Sequence, residues 1–251
     1  MGLVMEQSAT DSRWQSLLSL ILPTRCHTCR RYLRDETNPC FCRDCWATIS
    51  RINGPCCPRC GKPFASESAL SHSPGHLCGD CRERLPHFDH AVSAGWYEGV
   101  LAEAIHLFKY RGKTLLARPL GAFLLDAMGR FPKADGLIPV PLHPSRLRER
   151  EFNQALLLCD YVKAQSGLPV IPDGLERVRE TPPQIGLAHA ARRGNVRRAF
   201  VSKQLARIEG RSIVLIDDVL TTGATVNDCA RALKRAGAET VCVLTIARTP
   251  K

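Results

Sequence analysis

The chain has 251 residues, 44% hydrophobic and 24% charged, and its 35 Lys and Arg against 24 Asp and Glu give a formal charge of +11. Such a balance suits a globular protein with a real core, and the positive excess points to anionic partners: nucleic acid, nucleotides or a membrane surface. No apolar run reaches the ~20 residues that cross a bilayer, so no membrane span is expected, and the cytoplasm is the expected compartment, with attachment to the inner face of the membrane as the alternative.

Residues 14–22 read as a short amphipathic helix. They lack the basic flank and small-residue cleavage site of a signal peptide. From residue 23 to about 86 the composition changes to Cys, Pro, Gly and Arg, and ten of the thirteen cysteines fall between Cys26 and Cys81. Four Cys-x-x-Cys turns stand out: Cys26/Cys29, Cys42/Cys45, Cys57/Cys60 and Cys78/Cys81. Each such turn offers two thiolates to one metal, and two turns close a tetrahedral shell. The expectation is two structural zinc sites, paired by sequence neighbours, with an interleaved pairing of the same residues as the alternative. His27 and His76 are substitute ligands, Cys40 and Cys56 spare thiols. Disulfides would need an oxidising compartment, for which nothing in the sequence argues. In Cys57-Pro-Arg-Cys60-Gly61, the glycine relieves the knuckle turn. Cys159, Cys229 and Cys242 sit in helix or strand patterns and read as small core residues.

Residues 88–98 predict a strand that begins a second domain, giving a division into 1–22, 23–86 and 87–251. Residues 101–110 and 115–128 have helical apolar spacing. The basic turn between them, Lys109-Tyr110-Arg111-Gly112-Lys113, reads either as a phosphate or nucleic-acid contact or as a helix end capped by Gly112. Residues 137–144 predict a short strand halted by prolines, followed by an arginine-lined loop to Gln154 and a helix to Ala164. A rigid basic loop after a strand suits a pyrophosphate. Residues 178–200 are polar and basic, and read as a loop that closes over a ligand.

The apolar run 213–216 predicts a strand buried on both faces. Asp217 and Asp218 stand at its carboxyl end, then come Thr221-Thr222-Gly223-Ala224-Thr225 and a helix over 226–236. A strand, a polar glycine-bearing loop and a helix N-terminus in that order make an anion site. The two carboxylates suit the hydroxyls of a sugar phosphate or a magnesium ion bridging to it.

This stretch resembles the ribose-phosphate signature of type I phosphoribosyltransferases. By that resemblance Thr221, Thr222, Gly223, Ala224 and Thr225 hold the 5-phosphate of phosphoribosyl pyrophosphate (PRPP), and Asp217 and Asp218 face the ribose 2- and 3-hydroxyls. The whole chain resembles the ComF family: the double zinc ribbon, Lys-Tyr-x-Gly at 109–112, Pro-Val-Pro-Leu-His-Pro-x-Arg at 139–146, Phe-Asn-Gln-Ala at 152–155, Arg-x-Arg-x-Thr-x-x-Gln at 177–184, and Asp-Asp-Val-x-Thr-Thr-Gly-Ala-Thr at 217–225. It implies an α/β fold of the type I phosphoribosyltransferase kind, a Rossmann-like parallel sheet flanked by helices, behind an N-terminal double zinc ribbon. It also implies the handling of single-stranded DNA during natural transformation, alongside DNA-uptake proteins, and binding of PRPP with magnesium beside two structural zinc ions. Pro141, Arg146 and Arg150 of the first loop, with Arg179, Thr181, Gln184 and Arg193 of the second, are the expected pyrophosphate groups, and Asp217 and Asp218 the catalytic ones if a ribose phosphate is transferred to a nitrogen acceptor. Two points depart from a working transferase. Glu151 stands where the family usually has glycine, and residues 245–251 offer no segment to read a base. Few aromatics are available to stack on DNA bases, with Phe41, Trp46 and Phe64 the candidates.

Overall fold

The computed structural model describes residues 24–33, 37–64, 73, 75–131, 134–179 and 198–250. The expected helix at 14–22, and Thr181, Gln184 and Arg193, lie outside them. The chain forms two compact units, Met1–Thr48 and Ile49–Lys251, so the second group of four cysteines shares a unit with the sheet.

In the first unit a knuckle turn runs from Cys26, whose amide donates to Arg31 O at 2.8 Å, and is closed by an antiparallel bridge between Arg25 and Tyr32. Cys42 caps the five-residue helix α1 (Arg43–Ala47). Phe41 is fully buried, between the rings of His27 and Trp46 at 6.0 and 5.8 Å. That burial corrects one expectation: Phe41 is a core residue of the ribbon and is not available to a base.

The second unit repeats this knuckle. Cys57 N–H donates to Lys62 O at 2.8 Å, Cys56 bridges Pro63, and Cys78 caps α2 (Gly79–Glu83). A parallel sheet follows, built among the described residues from β1 (His90–Trp96), β2 (Gly136–Pro139), β5 (Ser212–Leu220) and β6 (Thr240–Arg248) in the order β1-β6-β5-β2. β5 and β6 are its centre and its most apolar strands: Ile213 to Ile216 and Val241 to Arg248 are buried throughout. Strands with both faces covered need such runs. Helices α3 (Gly99–Tyr110), α4 (Ala117–Met128) and α6 (Gln154–Ser166) bury Leu101, Ile105, Phe108, Leu120, Leu124 and Leu158; α4 packs on β1 and β6, and α6 on β2 and β5. On the opposite side α7 (Ala224–Arg235) lays Val226, Cys229, Ala230 and Leu233 against Ile213, Leu215, Val241 and Val243. A small hairpin, β3 (Leu175–Arg177) with β4 (Phe200–Ser202), packs beside α7. Cys159, Cys229 and Cys242 are buried as expected. No helix among the described residues is long and apolar enough to cross a membrane.

The segment after β2 differs from its sequence reading. Residues 144–150 are the helix α5 (Pro144–Arg150), not a loop. Pro144 fits the first turn, where an amide is not needed, and His143 Nδ1 accepts the Ser145 N–H at 3.3 Å. The helix stops because Glu151 is left-handed at φ 66°. The chain then enters α6 through Asn153, whose Oδ1 accepts the Ala155 N–H at 3.0 Å while its amide donates to Val140 O at 3.2 Å. The unusual glutamate is therefore exposed and held in a conformation that costs an L-residue about 1–2 kcal/mol. Glu151→Gly is expected to stabilise the unit by about 1 kcal/mol in urea unfolding, with no gain if the turn relaxes instead.

Candidate functional site

β5 carries the site. The strand continues past the apolar run to Leu220, so Asp217 and Asp218 lie inside it, paired in register with β6. Successive strand residues point to opposite faces. Asp218 meets α3: its Oδ1 is 2.7 Å from Lys109 Nζ, with both side chains about 15% exposed (16% and 14%). Asp217 accepts the Asp218 N–H at 2.9 Å and lies near Cys229 of α7. Burial, and then the Asp218 charge, raise the Asp217 carboxyl to about 7, against the pull of Lys109, the Asp218 amide and Arg150. Burial disfavours the Lys109 charge, but Asp218 and then Asp217 outweigh it and hold its pKa above the ordinary value.

Beyond Leu220, the loop 221–223 leads into α7 through Gly223, which sits at φ 74°. Thr222 Oγ1 accepts the Ala224 N–H at 3.3 Å. Thr221, Thr222, Gly223, Ala224 and Thr225 are all half-buried at the positive end of a twelve-residue helix. A left-handed glycine at this bend lets the chain turn sharply from strand to helix.

Among the described residues of the expected pyrophosphate set, Arg150 is the one tied to the acidic pair. It donates to Gln154 Oε1 and Tyr110 Oη, both at 3.2 Å, stacks over the Tyr110 ring at 4.9 Å, and is close enough to bias Asp217. Arg146 pairs with Glu149 at 2.6 Å on the exposed side of α5, and Arg179 is exposed. Pro141 lines a cavity of about 420 Å³ with Leu147, Phe152, Asn153 and Arg177; neither Asp217 nor Asp218 lines it.

Lys109, Tyr110 and Gln154 complete this cluster; the sequence offered the first two as a separate phosphate or nucleic-acid contact, and none of the three as a partner of the acidic pair. The signal was there for Lys109, which falls four residues after Ile105 and eight after Leu101, on the buried stripe of α3. A charge on an apolar stripe asks for a buried partner. The capping reading of the same turn also holds, since Gly112 is left-handed at φ 59° just past the helix end at Arg111.

Two metal centres are preformed. The Sγ atoms of Cys26, Cys29, Cys42 and Cys45 lie within 4.8 Å of one another, as do those of Cys57, Cys60, Cys78 and Cys81. This is the neighbour pairing, not the interleaved one. Cys29 and Cys42 Sγ are 3.6 Å apart and Cys60 and Cys78 Sγ 3.5 Å, distances far beyond a disulfide bond that suit four thiolates around one zinc. In both, the third ligand's amide donates to the first ligand's sulfur at 3.4 Å. The Cys57 thiol is pulled down to about 4, first by hydrogen bonding to Cys60. His27 and His76 are not among the ligands; each stacks on a phenylalanine.

The residue after the second cysteine of each knuckle differs. Both close through a left-handed residue, Arg30 at φ 64° and Gly61 at φ 67°. The second is pressed against a strand of its own unit. A Cβ on Gly61 would lie 2.2 Å from Ala91 O of β1. The same knuckle accepts Arg248 Nη1 on Cys60 O at 2.9 Å, and its Pro58 O faces His90 Nδ1 at 3.0 Å.

The double zinc ribbon family model matches residues 17–82, and the phosphoribosyl transferase domain model matches residues 175–251. The chain is 33% identical over 235 residues to Competence protein F of Haemophilus influenzae, covering 89% of this chain and 96% of that protein. It is 32% identical over 236 residues to DNA utilization protein YhgH of Salmonella typhi, covering 92% and 99%. Competence protein ComFC of Bacillus subtilis is 30% identical over 220 residues, with 83% and 84% covered.

Proposed function

The chain belongs to the ComF family, and from that premise we propose that it is a cytoplasmic factor that handles single-stranded DNA during uptake, with a transferase-fold unit that binds PRPP. The observation that carries the PRPP reading is the continuous path from Asp217 and Asp218 in β5 through the left-handed Gly223 to the head of α7. The loop amides and the helix dipole take the 5-phosphate. Asp217 and Asp218 accept the ribose hydroxyls, and Arg150 faces the diphosphate, with Arg146 one helical turn before it and Arg179 of the segment after β3 as further cations. Magnesium supplies charge neutralisation on the diphosphate when PRPP is bound. Support for the DNA reading comes from the +11 charge and from the names that the relatives bear.

The direct test is calorimetric titration of PRPP and magnesium into zinc-loaded protein, with and without a short single-stranded oligonucleotide. Micromolar PRPP binding that shifts with DNA supports one coupled device; no PRPP binding removes the sugar-phosphate assignment. DNA affinity should fall about tenfold or more between 50 and 200 mM salt if about three phosphates are neutralised, and a flat response would leave the charge as solvated surface. PRPP affinity should also depend on pH. With Asp217 titrating near 7, its hydroxyl-accepting form is lost as pH falls, so binding at pH 8 should exceed that at pH 6 by up to about tenfold. Asp217→Asn should flatten that profile.

The second reading is a transferase that passes the ribose phosphate to a nitrogen acceptor. It is favoured by Arg150 and Lys109, two cations grouped beside the carboxylates where a leaving diphosphate would need them. Release of pyrophosphate from PRPP with a panel of bases would establish it.

A further inference from the structure

The strand geometry separates the two carboxylates. Asp218 is on the side of α3 and is occupied at 2.7 Å by Lys109, while Asp217 spends one oxygen on the Asp218 N–H and lies near Cys229 of α7. Among the described residues, the groups of three or more His, Cys, Asp or Glu side chains that could hold a metal are the two cysteine clusters; the acidic pair has no third such ligand. A magnesium ion demands six oxygens in near-octahedral order and is usually held by one or two carboxylates together with substrate phosphates. Lys109 leaves little room for even that. Its ammonium sits where the ion would bind Asp218, is largely removed from water, and reaches the carboxylate from the last turn of a helix whose preceding turns are locked in the core by Leu101, Ile105 and Phe108. Arg150, anchored to Tyr110 and Gln154, adds a second positive charge on the same side.

We infer that Lys109 is the built-in cation of this acidic pair, so that the protein alone takes no divalent metal there, and magnesium enters only on the diphosphate of a bound sugar phosphate. The second half of that statement rests on the PRPP reading given above; the first half does not. Lys109 acts as a positioning residue. It sets the direction of the Asp218 carboxylate and rejects a free metal ion by charge.

The experiment is a manganese titration followed by electron paramagnetic resonance, using full-length protein with both cysteine clusters loaded with zinc and no PRPP present. Wild type and Lys109→Arg, which keep the cation, are expected to show no manganese binding that Asp218→Asn removes. Lys109→Met is expected to gain a manganese site at least about tenfold tighter, the scale on which one nearby opposite charge biases a carboxylate, and Lys109→Met/Asp218→Asn to lose it again. Lys109→Gln, which keeps the stem and a neutral donor, is read in the same way should the methionine variant fail to fold. Manganese held by the wild type in an Asp218-dependent way overturns the inference, as does an unchanged affinity in both neutral variants. Adding PRPP to the wild type should then bring manganese in. If it does not, while the neutral variants still gain their site, the PRPP reading fails and the role of Lys109 stands.

Discussion

Asp218→Leu should lower the stability of the unit 49–251 by about 3 kcal/mol in urea unfolding, and Lys109→Met by a similar amount. Each removes one member of a pair that is about 85% buried, and the surviving charge stays in the core without its partner. Lys109→Met combined with Asp218→Leu removes both charges and should recover to within about 1 kcal/mol of the parent, because a pair of apolar side chains of similar volume is no worse than a desolvated ion pair. The coupling energy of this cycle is thus large and favourable, whereas two independent surface charges would give additive losses near zero. Additive losses would mean that water reaches both groups. One consequence is practical. Asp217→Asn/Asp218→Asn is expected to abolish PRPP binding in calorimetry, and that loss reports on the site only at temperatures where the variant is still folded.

The second large effect concerns metal. Cys81→Ser, or Cys57→Ser, should lower the melting temperature of the unit 49–251 by more than about 10 °C, since structural zinc contributes several kcal/mol and each kcal/mol shifts a unit of this size by about 2–4 °C. The loss is large because this knuckle is built into the sheet. Arg248 of β6 holds Cys60 O, Arg59 reaches Asp89 at 3.4 Å, and Asp89 in turn accepts from Lys234 at 2.7 Å and from the Val241 N–H at 2.8 Å. Cys26→Ser, which removes a ligand from the other compact unit, is the control. Differential scanning calorimetry distinguishes the two, and equal falls from both variants would mean a general effect of losing zinc rather than support of the sheet edge.

How much of this could be read from the sequence depends on the range of the interaction. The four cysteine turns, the apolar run 213–216 and the glycine at 223 are local signals, and the structure places each where its pattern points. The Lys109–Asp218 pair joins residues far apart in the chain, so the sequence offered only half of it, a lysine on an apolar stripe. The basic segment after β2 misled for a related reason. Its arginines suggested one loop turned to one ligand, but Pro144 and the His143 cap make it a helix, which turns Arg148 away from Arg146 and Arg150, and Arg146 is then taken up by Glu149. Only Arg150 then joins Asp217 and Tyr110. Phe41 was offered to a base because aromatics in a small ribbon look exposed; the ribbon needs it for its own core.

The order of the strands bears on how the protein is made. β1 forms its ladder with β6, so Ser93 bonds Thr245 across 152 residues of chain, and its other side is met by a single bridge between Arg51 and Gly95. On the ribosome, β1 emerges long before β6 and must wait with an unpaired edge, the condition in which a nascent parallel sheet is most open to misassociation. The four ligands Cys57 to Cys81 are all synthesised before β1 begins. A zinc ion gathered at that moment would fold the knuckle early and place the rigid turn at Gly61, which packs on Ala91, beside the waiting strand. Metal supply during translation would then govern how much of the newly made chain reaches the native state, quite apart from its effect on the finished molecule.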